Sequence, residues 1–236
     1  MTPTQPAVPT EQTVNPSAGG GVSVEHPGIT QLFAVLAYGE VAAFYRLADE
    51  ARMAPNLAGR INLASMAAAE MNHYELLRDA LTKRGVDVVA VMTKYASALE
   101  NYHRLTTPST WLEALVKTYI GDALAADFYL EIADALPDDA AGVVRGVLAE
   151  TGHSQFVVAE VKAAIRASEK QRHRLALWSR RLLGEAITQA QYVLAEHDEL
   201  VDLVVSSGDG LGRLSEFFDR LQKTHQARVR ELGLVA

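Results

Sequence analysis

The pattern that most constrains this chain is a doubled spacing of acids and histidines. Glu70-Met71-Asn72-His73 and Glu150-Thr151-Gly152-His153 are both Glu-x-x-His steps, and each follows an acid preceded by glycine, Gly39-Glu40 and Gly121-Asp122. On a helix, residues three apart share one face about a turn from each other, so each step offers a carboxylate and an imidazole to the same point. Two such points facing each other inside a bundle would hold two metal ions.

The rest of the chain supplies helices for such a bundle. Residues 1–25 are rich in Pro, Thr, Gln, Ser and Gly and carry almost nothing large and apolar, which predicts a disordered tail. From His26-Pro27-Gly28 onward apolar residues recur at spacings of three and four, the helical period, and no segment alternates as a strand does. Pro55 and Gly85 bound two helices, 29–53 and 56–84, and a shorter connecting helix covers 87–104. Thr107-Pro108-Ser109-Thr110 is a break followed by an N-cap, opening a helix that runs to Leu136-Pro137. Asp138-Asp139 then places negative charge where a helix N-terminus favours it, and that helix reaches about 167. Helices at 169–205 and 211–232 complete the chain.

Glu40, Glu70, Asp122 and Glu150 fall near the midpoints of the four long helices. Antiparallel helices of similar length bring their midpoints to one level, so four mid-helix acids can meet. The organisation expected is a tail (1–25), an all-α four-helix bundle joined by a crossover (26–168), and additional C-terminal helices packing on it or forming an interface (169–236).

Cysteine is absent, which excludes disulfides, thiolate zinc sites and iron–sulfur clusters together. Any metal must be held by carboxylate and imidazole, a donor set suited to iron or manganese. The net charge of −7 argues against a surface wholly devoted to nucleic acid. It leaves room for a local basic patch, and Lys162, Arg166, Lys170, Arg172, Arg174, Arg180 and Arg181 form one across 162–181. No run approaches the roughly 20 uninterrupted apolar residues of a membrane span, and no signal layout opens the chain, so the expectation is a cytoplasmic protein without membrane contact.

With 29 acids and seven histidines, about one Glu-x-x-His arises by chance, and a third copy exists, Glu100-Asn101-Tyr102-His103. It lacks a glycine–acid partner upstream and reads as surface or crossover. On the helix after Thr110, Asp127 and Glu131 compete with Asp122, which has the glycine and the spacing in its favour. Tyr38, Tyr45, Tyr74, Tyr119 and Tyr129 lie near the acids and read mostly as core or rim. His26, His173, His197 and His225 have no acid three residues before them and read as structural or exposed.

The series Gly-Glu, Glu-x-x-His, Gly-Asp, Glu-x-x-His over residues 28–168 resembles the ferritin-like superfamily, and within it the actinobacterial MiaE-like proteins, relatives of a tRNA 2-methylthio-N6-isopentenyladenosine hydroxylase. The resemblance implies a non-haem centre of two iron ions, with manganese as the other candidate, held by Glu40, Glu70, His73, Asp122, Glu150 and His153. Glu70 and Glu150 would bridge. It also implies an oxygen-activating hydroxylase that draws electrons from a reductase and acts on a substrate such as a modified tRNA nucleoside, with the 162–181 stretch touching RNA. Peroxide or oxygen scavenging at the same site is the competing activity. A non-catalytic iron-binding or helical interaction protein, dimerising through its last helices, is the competing class.

Overall fold

The computed structural model describes residues 22–148, 154–206 and 211–234. Nearly all of the expected tail therefore lies outside the described residues; at Val22 the chain is already buried against the core. Among the described residues there are α-helices, one 3₁₀ turn and no strand, in agreement with an all-α protein.

Helix α1 (Pro27–Glu50) starts where His26 accepts the Gly28 N–H at 3.0 Å and Pro27 supplies a preset backbone angle. A 3₁₀ turn (Ala51–Met53) and Pro55 reverse the chain into α2 (Leu57–Lys83), capped by Asn56 on the Gly59 N–H at 2.8 Å. Gly85, with φ of 71°, ends α2 as expected, because only glycine takes that angle without strain. The crossover is two helices rather than one, α3 (Val88–Thr93) and α4 (Ala96–Leu105). It breaks because Tyr95 turns fully inward, donating to Gln31 at 2.7 Å and lying against the His197 ring.

Helix α5 (Trp111–Ala133) opens at the expected cap, with Thr110 accepting the Glu113 N–H. The fourth bundle position, expected as one helix from 138, contains α6 (Asp138–Val147) and α7 (Ser154–Ala167). Asp138 and Asp139 occupy the first turn of α6. The expected helix 169–205 is likewise divided, into α8 (Glu169–Glu196) and α9 (Asp198–Ser206), at His197. Helix α10 (Leu211–Glu231) follows.

These helices enclose two apolar clusters. One gathers Ile29, Leu32, Leu36, Leu77, Leu81, Ile132 and Val144; the other gathers Leu47, Leu63, Leu115, Ile120, Val157, Leu175 and Leu182. Each fully buried Leu or Ile contributes roughly 1.5–3 kcal/mol. Helix α1 runs through both clusters, which explains its apolarity. The stretch Pro27–Met53 is long and apolar enough to cross a membrane, yet 56% of its most apolar window is buried inside the protein. Along α1 and α2 the clusters change over between Ala37 and Leu47 and between Ala67 and Leu77. Glu40, Glu70 and His73 lie in those two intervals, so the acids mark a polar layer between two dry ones.

The C-terminal helices pack on the bundle and finish its second cluster. Helix α8 lies on α5 and α4, burying Leu175, Trp178 and Leu182. The Trp178 indole donates to the Glu113 carbonyl at 2.9 Å, and Arg174 meets the Glu113 carboxylate at 2.8 Å.

Candidate metal centre

Glu40 of α1 and Glu70 and His73 of α2 converge, with one ligand-type atom from each within 4.8 Å of the others. The His73 Nδ1 stands 3.4 Å from the Glu40 Oε2 and 3.3 Å from the Glu70 Oε2. This is the geometry the first Glu-x-x-His step predicts, completed by the acid from the neighbouring helix. All three line a cavity of about 590 Å³ that extends between α1, α2, α4 and α5.

Two carboxylates brought together out of water cannot both ionise without compensation. Burial, reinforced by Glu70, pushes the Glu40 carboxyl up to about 8. Against its own burial, Glu70 is held low by hydrogen bonds from His73 and Glu40. The two carboxylates in turn raise His73 to about 10. Protons on Glu40 and His73 thus supply the positive charge that the cluster lacks.

Asp122 of α5 lines the same cavity but stands apart from the Glu40–Glu70–His73 group. Its Oδ1 accepts from the Arg46 Nη2 at 3.1 Å. The Arg46 Nη1 reaches Glu50 at 3.0 Å and Thr118 at 3.1 Å, and Lys117 lies 3.9 Å from Glu50. A buried charge network therefore sits beside the carboxylate–histidine group, with the Arg46 and Lys117 side chains only 8% and 2% exposed. The Asp122 side chain is 42% accessible, but its access is to the cavity; burial pushes its carboxyl up to about 7 even with Arg46 alongside. Burial together with Arg46 lowers Lys117 to about 7.

The competitors on α5 are accounted for by α10. Asp127 accepts from Arg228 at 2.5 and 2.7 Å and from Thr224 at 2.7 Å, and Glu131 is paired with Arg220. Glu150 and His153, the second expected step, lie outside the described residues.

His103, expected at the surface or crossover, does lie on the crossover, but on the inner side of α4: it lines the cavity, and its Nδ1 and the neighbouring Tyr102 hydroxyl are buried without a hydrogen-bond partner among the described residues. Burial drives this imidazole far below its usual range, so it is neutral. Glu100 of the same step does face outward and accepts the Tyr38 hydroxyl at 2.5 Å. The glycines before the acids also gain a physical reason. A Cβ on Gly39 would meet Leu99 at 3.5 Å and one on Gly121 would meet Tyr102 at 3.4 Å, so both glycines face α4 where it crosses the bundle. Ala69, Ala125 and Ala126 line the cavity, so their small side chains leave space rather than drawing helices together.

Of the tyrosines, Tyr129 lines the cavity, Tyr119 donates to Glu231 at 2.7 Å, and Tyr45 is exposed. The other histidines are structural or exposed as expected: His26 caps α1, His173 pairs with Glu169, and His225 is buried in α10.

An all-α bundle in which two carboxylates and a histidine from neighbouring helices converge on a cavity defines a class of helical protein with a group that could hold a metal ion. The sequence comparison gives the family: the model described as "Ferritin-like domain, actinomycetes" matches residues 25–207, and the chain belongs to that family. No curated protein matches the chain.

Proposed function

We propose that this protein is a non-haem iron oxidoreductase that activates oxygen toward a small substrate held in its cavity. The observation that carries this reading is the convergence of Glu40, Glu70 and His73, three oxygen and nitrogen donors with no thiolate, on one wall of that cavity. The donor set fits iron or manganese. Two carboxylates that now rely on protons for charge balance would be balanced by a divalent cation instead.

Bound there, iron would supply the electron transfer to dioxygen that no side chain of this cysteine-free chain provides. The chain's own part is separate. Glu40 and Glu70 would neutralise the cation, and His73 would bind it as a neutral imidazole. Asp122, Glu150 and His153 are the proposed ligands of a second ion. Leu36, Met66, Leu99 and Val157 give the cavity an apolar wall against which a substrate could pack, and its volume lies in the range of small-molecule pockets. Hydroxylation of a C–H bond by dioxygen consumes two electrons and two protons and releases one water, so a reductase is the expected partner.

A small substrate is favoured over an RNA strand gripped by the basic stretch. Of that stretch, Arg172 is paired with Glu169, Arg174 with Glu113, and Arg181 donates to the Leu105 carbonyl at 2.6 Å. Arg174 and Arg181 tie α8 to α5 and α4, and Arg172 is paired within α8, so these three charges are already engaged, which weakens the stretch as a phosphate-binding face. The test is to reduce the iron-loaded protein anaerobically and mix it with oxygen. Oxidation faster than that of free Fe(II), with product formed from an added substrate, supports hydroxylation; a rate equal to free Fe(II) overturns it. Turnover of peroxide without organic product would assign scavenging instead.

A further inference from the structure

We propose that Lys117 is a second reactive centre on this cavity: an amine nucleophile that captures a small aldehyde or ketone as an imine. The reaction neither needs nor excludes a metal ion, so it goes beyond the function proposed above.

Lys117 stands on α5 with its side chain only 2% exposed, and it lines the cavity. Among the described residues its ion-pair partner is Glu50, whose Oε1 lies 3.9 Å from Nζ, beyond hydrogen-bond reach, and the Nζ sits 5.8 Å from the centre of the Tyr102 ring. An ammonium is costly there, because burial removes its water without a hydrogen bond from Glu50 in exchange. The charged and titratable groups around it are Arg46 and Glu50 of α1, Tyr102 and His103 of α4, and Asp122 of its own helix. Burial and the fixed charge of Arg46 outweigh the two acids and bring the amine down to about 7 from 10.5. Desolvation and a neighbouring cation are the conditions that make a lysine nucleophilic at neutral pH. Both meet at Lys117, on the wall of a cavity large enough for a small molecule.

The ligand class follows from the same groups. An amine that gives up its proton near neutral pH is a weak anchor for an anion, and Glu50 and Asp122 stand beside it. A neutral carbonyl compound meets neither obstacle. The Nζ lone pair would attack the carbonyl carbon, the C=O π pair would move to oxygen, and a proton from nitrogen would follow it to give a carbinolamine. A second proton transfer expels that hydroxyl as water and leaves a C=N bond to Nζ. One amine and one carbonyl thus give one imine and one water, with no oxidant or reductant, and water reverses the step. The Glu50 Oε1 has no hydrogen-bond partner among the described residues and is placed to relay the protons.

The test is reductive trapping on the full-length chain with propanal and cyanoborohydride, the propylated lysines being located and timed by peptide mass spectrometry. The exposed Lys83, Lys94, Lys170 and Lys223 serve as internal references. At pH 7 about half of an amine that titrates near 7 is neutral, against roughly one in 3,000 at the ordinary lysine value. Lys117 should therefore be propylated at least about tenfold faster than the references at pH 7, a margin that leaves room for its lower basicity and narrower access. The advantage should shrink toward pH 10, where exposed amines also lose their protons. Propylation of Lys117 no faster than that of the references at pH 7, or none at all, would overturn the inference and leave the metal-binding reading intact.

Discussion

At the scale of single residues, the interior of this protein is organised by charges that lack water. Lys117 is the clearest case, since its ammonium is buried with the nearest carboxylate at 3.9 Å, beyond hydrogen-bond reach. Its folded-state value of about 7 lies below the ordinary lysine value of 10.5. Above about pH 7 the unfolded chain therefore holds the proton more firmly, and stability should rise from pH 7 toward pH 10 as Lys117 becomes neutral in both states. Lys117→Met should raise the melting temperature at pH 7 and gain less at pH 10. Melting curves at the two pH values check this; a variant less stable than wild type at both would mean that the ammonium is stabilising. Reading such a network from sequence is difficult. Arg46 and Asp122 are 76 positions apart, with no periodic signal to connect them. Glu40, Glu70 and His73 were legible because helical spacing joins Glu70 to His73, and antiparallel hairpin geometry carries Glu40 to them. The crossover position of His103 was legible, but its facing the cavity was not, because burial imposed by the way a helix crosses the bundle leaves no mark in so short a motif.

At the scale of elements, caps and breakers were readable and junctions imposed by tertiary packing were not. Asn56, Thr110 and Gly85 act locally, through a side-chain oxygen or a backbone angle, so the sequence displays them. The breaks at Tyr95 and His197 arise because these two rings pack against each other between α3, α4, α8 and α9, which only the fold can reveal. Helix α9 also sets a strict demand on α1. A Cβ on Gly28 would stand 2.3 Å from the Glu199 carbonyl oxygen and 2.8 Å from the Leu203 Cβ. Gly28→Ala should destabilise the protein by about 1–3 kcal/mol, measured by denaturant unfolding, whereas a neutral effect would mean that α9 yields easily. Helix α10 carries its own pH sensitivity through His225, which burial, with Arg228 nearby, lowers to about 4 from 6.5. The unfolded chain takes up this proton first, so stability should fall as pH drops through 6.5 and level off below about 4, by up to about 3 kcal/mol. His225→Phe should flatten that part of the stability profile; an unchanged slope would assign the loss to other groups.

At the scale of the whole molecule, the helices after residue 168 share an apolar cluster with the helices before it. Trp178, Leu182, Phe217, Leu221 and Val229 share one cluster with Leu47, Leu63 and Leu115. Arg174, Arg220 and Arg228 tie the later helices to acids of α5. A chain ending at Ala167 should therefore lose cooperative thermal unfolding, seen by circular dichroism. A folded, monomeric truncation would show instead that the C-terminal helices are an appendage. The same architecture positions the polar layer, because apolar clusters on either side keep Glu40, Glu70 and His73 at one depth beside the cavity. The central claim is that this layer exists to bind a cation, and the most direct measurement is the metal content of the full-length protein after iron loading and exhaustive dialysis, set beside a Glu70→Gln, His73→Ala double variant. The wild type should retain at least one iron per chain, while the folded variant should bind it about 100-fold or more weakly and retain none. Equal retention by the two proteins, or none by either, would contradict the account.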